Sequence, residues 1–437
     1  MKYYLAVDIG ASSGRHIVGY EQDGELVLDE VHRFYNGQDE VDGSLVWDME
    51  RLFSEVKAGL KTALAKYGKI DSMSIDTWGV DYVLMRGDEA VLPVYAYRDS
   101  RTDASSEAVH AIIPHSELYS RTGTMFNKFN TVYQLYADKM ANRLEDVTDF
   151  LYVPEYLMYR LTGVKSHEFT EASTSGLVSA DTLEYDEYIF EKLGLPKNLI
   201  APLLAPGESL GRLLPEVVSE VGGDTEVVLC ATHDTGSAVE AIDMELNAPY
   251  ISSGTWSLLG VKTQKPITDE KSRISGYSNE GGVGYNRYQK NINGMWLVQS
   301  LRRELCPDAG WDDIADEAQS SDYLGTFDIN DEAFTAPKSM AAAISDYVTA
   351  RGGDAPKLAK DYFNSAYRSL ALGYKEAIDD LEFNTGRTYS EIFIVGGGAK
   401  CDYLNRLAEE ATGKRVVALP IEATAIGNLK VQIKRNK

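Results

Sequence analysis

His233-Asp234 follows the apolar run 226–231 and precedes a helical stretch, so Asp234 projects from a strand end beside a helix N-terminus. A carboxylate so placed can take the proton of an acceptor hydroxyl during phosphoryl transfer from ATP, a reaction that also needs in-line positioning and charge neutralisation. By spacing alone, Asp234 is a helix N-cap and His233 a buried structural histidine; the base role depends on phosphate-binding turns beside them. Residues 10–14 form one candidate turn. Gly10, Ala11 and Gly14 leave its amides unobstructed, Ser12 and Ser13 add hydroxyls, and Arg15 adds a cation. Alone it reads as a hairpin turn. Ser252-Ser253-Gly254-Thr255 is a second turn of the same kind, and two opposed turns can hold the two ends of a triphosphate. Asp8, just before the first turn, suits Mg²⁺ held through water or an Asx cap of the turn. Gly396-Gly397-Gly398 lets a flat ring or a ribose approach the backbone, or serves helix–sheet packing. Trp78, beside Gly79, and Trp296 offer aromatic faces to a sugar, or belong to the core.

The elements that must position these residues follow from pattern. Residues 3–7 and 15–20 are β-prone runs around the first turn and read as a hairpin. Residues 48–64 place Met49, Leu52, Phe53, Val56, Leu60 and Leu64 on one helical stripe. Met73 and Ile75 form a strand leading into Asp76-Thr77-Trp78-Gly79. The plan then repeats: strand 226–231, strand 249–252, the second turn, strand 256–262, strand 392–395, the glycines, and a helix through Leu404, Leu407, Ala408 and Ala411 capped by Gly413. Two α/β halves facing each other across a cleft are expected, joined at the polar stretch 243–247.

The chain has 437 residues, a length for about three domains or two large ones at ~150 residues each. Its 44% apolar and 25% charged residues are ordinary for a globular protein. The net charge of −24 argues against nucleic acid or an anionic membrane surface as partner. No apolar run approaches the ~20 residues of a membrane span, and an acid at position 8 precedes any signal-peptide core. Three scattered cysteines fit a reduced, cytoplasmic protein.

Assembled in order, the words VDIGASSGR (7–15), IDTWGVD (75–81), YRDSRT (97–102), FNTVYQL (129–135), HDT (233–235), SSGTWSL (252–258), NEGG (279–282), KNINGMWLVQ (290–299), VGGG (395–398) and EATAIGN (422–428) resemble the FGGY carbohydrate kinases along nearly the whole chain. The resemblance implies two α/β domains of the actin/hexokinase-like (RNase H-like) ATPase fold flanking a central cleft. Residues 1–243 would carry the sugar site and first phosphate turn, and 244–437 the nucleotide site. It implies Mg²⁺-dependent phosphorylation of a small ketose by ATP, with L-rhamnulose as acceptor and L-fuculose or xylulose as alternatives. Asp234 would be the base for the ketose 1-hydroxyl. Sugar contacts would fall on Gly79, His233, Asp234, Thr235 and Asn291, and nucleotide contacts on Ala11, Ser12, Ser13, Gly14, Arg15, Thr255, Gln299 and Gly397. No nucleic-acid or membrane partner is implied, and the assembly is a monomer or homodimer. A different class, a non-catalytic sugar- or ATP-sensing protein of the same fold, remains open, as do actin- or chaperone-like ATPases. In such kinases further helix usually follows the EATAIGN word, so the terminal helix over the second domain's sheet is expected to be shortened or absent here.

Overall fold

The computed structural model describes residues 1–244, 248–335, 337–419 and 422–436. The expected join at 243–247 therefore lies partly outside the described residues. Two six-stranded mixed sheets organise the chain. The first contains β1 (Tyr4–Ile9), β2 (Ser13–Gln22), β3 (Glu25–Tyr35), β4 (Ser72–Thr77), β5 (Ser209–Arg212) and β6 (Glu226–Val228), in the order β5-β6-β4-β1-β2-β3. The second contains β7 (Pro249–Ser253), β8 (Trp256–Thr263), β9 (Ser278–Gly281), β10 (Asn286–Asn293), β11 (Glu391–Val395) and β12 (Arg415–Leu419), in the order β9-β10-β8-β7-β11-β12.

The repeat read from the sequence is present in the pairing. In each sheet a hairpin (β1–β2, β7–β8) has its first strand flanked by a parallel neighbour, β4 beside β1 and β11 beside β7. The first hairpin matches expectation closely. β6 is shorter than the apolar run suggested and ends at Val228, because Leu229, Cys230 and Ala231 leave the ladder while staying fully buried.

The stripe at 48–64 forms α1 (Met49–Tyr67). The Asp48 carboxylate accepts from the Arg51 amide to cap its start, and Gly68 closes it at φ +74°. Its apolar residues pack under the first sheet with Leu5, Val7, Met73 and Ile75. The outer face of the second sheet is covered by α4 (Trp296–Leu305) and by the long α5 (Ala359–Thr385), whose Phe363, Tyr367, Leu370, Tyr374 and Leu381 are buried at helical spacing. The helix after the glycines, Asp402–Thr412, ends on Gly413 at φ +67° as expected.

Two helices lie between the sheets. One, α3 (Asp234–Glu240), packs Ala238 and Val239 toward Tyr250 and Val395 of the second sheet. The other is the last helix of the chain, α7 (Ala423–Arg435). Its own apolar residues are covered. The 426–433 stretch leaves no bare apolar face, because Leu429 and Ile433 pack on Tyr4, Ala6 and Ile17 of the first sheet. Gln432 also donates to the Leu5 carbonyl (3.0 Å). Among the described residues no helix is long and apolar enough to cross a membrane.

The α3–α7 crossing depends on Gly427, where an added Cβ would stand 1.7 Å from the Ser237 carbonyl oxygen. Replacing Gly427 by Ala should force the helices apart and cost about 1–3 kcal/mol, seen as a lower urea midpoint. An unchanged midpoint would show that this contact is not tight.

Candidate active site

Asp8 and Asp76 are register partners at the ends of the parallel strands β1 and β4, and Asp234 is the first residue of α3 beside them. The three carboxylates are close enough to feel one another's charge. Asp76 is fully buried. Burial first, then the Asp8 charge, raises its proton affinity well above normal, while Asn428 of α7 opposes the rise by donating to its Oδ2 (2.6 Å). Asp8 is raised too, by burial, against the lowering effect of Arg15, whose Nε donates to Oδ2 at 2.9 Å. Arg15 also pairs with Glu422, so its charge is met by two carboxylates.

The helix-cap alternative for Asp234 is not what the chain adopts. His233 holds the N-cap position without a side-chain cap bond, and Asp234 lies inside the first turn. Its side chain is 32% exposed and, among the described residues, accepts only from the adjacent Thr235 hydroxyl (3.1 Å). The Asx alternative for Asp8 is likewise replaced by the Arg15 contact. Its Oδ1 makes no hydrogen bond to a described residue, which suits a hard cation held through water. Among the described residues no group of three acidic, histidine or cysteine side chains forms a direct metal cage.

The first turn is held by Asn36, a residue the sequence reading did not single out. Its Nδ2 donates to the Gly10 carbonyl (2.8 Å) and its amide to the Ser12 carbonyl (3.1 Å). Ser12 and Ser13 are exposed and Ala11 is half-buried. Gly14 is needed for the core instead: a Cβ there would stand 2.1 Å from the Phe34 ring.

The second turn is built on α4, with Met295 and Trp296 amides donating to the Gly254 and Thr255 carbonyls (2.9 and 3.1 Å). Thr255 is exposed and Gln299 half-buried one turn into that helix. Of the three glycines, Gly396 and Gly398 answer to packing, since a Cβ on either would meet Ser253 at 2.8 or 2.0 Å; only Gly397 is open. Glu422 spans the space between the first turn and this loop, pairing with Arg15 and lying 4.0 Å from Lys400.

On the sugar side, Gly79 lies against His233, with the position of an added Cβ 3.3 Å from both His233 Nε2 and the Thr174 side chain. Trp78 is core: it packs on Trp47 at 4.1 Å between centroids, and both indoles donate to the buried Asp81. Gln134 and the Tyr97 amide also donate to Asp81, so three of the sequence words meet on one carboxylate. Trp296 is half-buried against the second core.

His233 is gripped from the other half. Arg287 Nη2, fully buried on β10, donates to His233 Nδ1 (3.0 Å) and lies 3.1 Å from Glu280 Oε2 on β9. The same Nδ1 lies 3.3 Å from Glu280 Oε2, so both members of the Arg287–Glu280 pair meet the ring at one nitrogen, while Nε2 faces Asp234 at 3.6 Å. Burial opposes the charge of Glu280, but Arg287 first, then His233 and Gln289, outweigh it and hold the carboxyl at about 2. Asn291 shares the β10 face of Arg287 and Gln289 by strand alternation; it is exposed and its side chain makes no hydrogen bond to a described residue. Glu280 and Asp76 lay inside quoted words without a role assigned, and Arg287 lay between two such words.

Known proteins match this chain in sequence and in fold. The N-terminal domain of the FGGY family of carbohydrate kinases matches residues 3–239, and the C-terminal domain matches 249–434. The chain belongs to the FGGY family. A rhamnulokinase of Oceanobacillus iheyensis is 41% identical over 98% of this chain and 92% of its own length, and one of Bacillus subtilis is 37% identical over 98% and 90%. In fold the chain is similar to a ligand-bound xylulose kinase of Lactobacillus acidophilus (TM-score 0.81, 17% identity, 100% of this chain and 90% of that one). It is also similar to Plasmodium falciparum glycerol kinase with ADP (TM-score 0.79, 13% identity, 99% and 89%). This FGGY protein is thus a carbohydrate kinase built as two α/β sheet domains.

Glu280 ties the second sheet to His233, and its removal should be felt in stability. Replacing it by Gln leaves Arg287 buried without its countercharge and should cost about 3 kcal/mol at neutral pH. Because the folded pKa of about 2 lies below the ordinary 4.5, this stabilisation is complete above the ordinary value and is lost as pH falls between the two. Unfolding midpoints of the native chain and Glu280→Gln should therefore converge on acidification. A gap independent of pH would contradict the assignment.

Proposed function

We propose that this carbohydrate kinase transfers the γ-phosphoryl group of ATP to the 1-hydroxyl of L-rhamnulose, giving L-rhamnulose 1-phosphate and ADP, with Asp234 as general base. Curated relatives named rhamnulokinase at near full length support the acceptor. The observation that carries the chemistry is the Asp234 carboxylate: unused as a cap, partly exposed, and beside Asp8 at the first turn.

In this reading residues 1–243 bind the sugar and 244–437 the nucleotide. The ketose lies against Gly79, His233, Thr235 and Asn291, with His233 Nε2 on the Asp234 side of the ring. Asp234 takes the proton from O1 as that oxygen bonds to the γ-phosphorus, and the bridging oxygen leaves with ADP. General-base assistance of this kind is worth ~10²–10⁴-fold. The amides of 11–15, Thr255, Gln299 and Gly397 position the nucleotide. Arg15, already paired, holds Asp8 and Glu422 in place. The free oxygen of Asp8 fits water-mediated Mg²⁺, which when bound would neutralise charge on the phosphates. The reaction uses soluble small molecules in the cytoplasm, by a monomer or homodimer. Holding the acceptor and ATP in one enclosed site keeps water from competing as acceptor.

A coupled ADP-release assay over L-rhamnulose, L-fuculose and xylulose tests the acceptor: L-rhamnulose should give the highest kcat/KM, and another ketose in first place would replace it. Asp234→Asn should lower ketose-dependent kcat by at least ~10²-fold while ATP still binds by calorimetry. Turnover near the native value would remove Asp234 from the mechanism.

A further inference from the structure

Val80 has φ +72°, the left-handed region, which is strained for a β-branched residue and persists only where surrounding groups over-determine it. Four bonds do so here. Its amide donates to Glu171 Oε1 (3.0 Å), while its carbonyl accepts from Thr131 Oγ1 (2.8 Å) and Gln134 Nε2 (3.3 Å). Next along, the Asp81 carbonyl accepts from the Val153 amide (3.2 Å). Val80 directly follows Gly79, the residue placed against His233 and Thr174.

Glu171 controls both sides of that contact. It stands in the short helix Phe169–Ala172, its side chain fixes Val80, and its own carbonyl accepts from the Thr174 hydroxyl (2.8 Å) and amide (3.0 Å). The spacing between Gly79 and Thr174 is therefore set through one residue. We propose that Glu171 and the strained Val80 form a latch that fixes the Gly79 turn against His233 and Thr174, and so determines which ketose the acceptor site takes. Glu171 is a positioning residue, acting through Val80 and Thr174. The inference rests on the reading of Gly79 and His233 as acceptor contacts.

Glu171 is fully buried, and its Oε2 has no partner among the described residues. Burial first, then the charges of Glu155 and Asp234, raises its pKa well above the usual carboxyl range. The bond to Val80 uses an acceptor oxygen that glutamine also offers, so Glu171→Gln separates the latch from any role of charge.

The test is steady-state kinetics of Val80→Gly, Glu171→Ala and Glu171→Gln on L-rhamnulose and L-fuculose, ketoses that differ in configuration at one carbon, with thermal midpoints alongside. Glycine occupies the left-handed region freely but does not fix it. Val80→Gly and Glu171→Ala should raise the ketose KM about tenfold, leave the ATP KM within about twofold, and cut the preference for L-rhamnulose about tenfold. Glu171→Gln should stay close to the native enzyme. Native KM and preference in Val80→Gly would overturn the latch, as would Glu171→Gln being as impaired as Glu171→Ala. If Glu171→Ala does not fold, the other two variants decide. Turnover of no ketose by the unaltered protein would instead defeat the kinase reading and the latch with it.

Discussion

Three carboxylates gathered at one end of a sheet repel, and the rest of the structure is arranged around keeping Asp8, Asp76 and Asp234 there. The parallel register of β1 and β4 sets Asp8 beside Asp76, and α3 brings Asp234 to the same edge. Arg15 answers the first from the hairpin, and Asn428 answers the second from the last helix. Burying such groups without partners costs several kcal/mol each. The hairpin turn and α7 are thus electrostatic requirements of the site as well as its walls. Of the three, Asp234 is the one left partly solvated and not used as a helix cap.

The same economy couples the halves. α7 follows the second sheet in sequence yet packs on the first, and Glu422 at its start lies between the first turn and the glycine loop. From the other side β9 and β10 send Glu280 and Arg287 to His233. The ring beside Asp234 is therefore oriented by residues some fifty positions away, from the sheet that also carries the second turn.

Much of this was legible where a local rule has a single reading. The two hairpins, α1 with its Asp48 cap and the helix closed by Gly413 follow from period and capping, and the paired turns announced the duplicated topology. Less was legible where one residue serves tertiary packing. Gly14 read as a phosphate-turn glycine but answers to Phe34, and of the two readings open for Gly396 and Gly398, room for a ring or packing, the contact with Ser253 selects packing. β3 is an edge strand with acidic and basic residues among its apolar ones, which blurs its alternation. α5 carried a readable stripe, Phe363 to Leu381, that the search for chemistry passed over. Arg15 read as a cation for phosphate because nothing local showed that Glu422, about four hundred residues on, would pair with it. Glu171 and Arg287 gave no signal at all, since a buried charge is recognisable only once its partners are in place.

The central claim is that the Asp234 carboxylate serves a sugar hydroxyl and the terminal phosphorus of ATP at once. The most direct measurement is a crystal structure with L-rhamnulose and a non-hydrolysable ATP analogue bound together. The account predicts the sugar O1 within hydrogen-bond reach of Asp234, about 2.6–3.2 Å, and in line with the γ-phosphorus. A ternary complex with the ketose seated away from Asp234, or with the γ-phosphate on its far side, would contradict it.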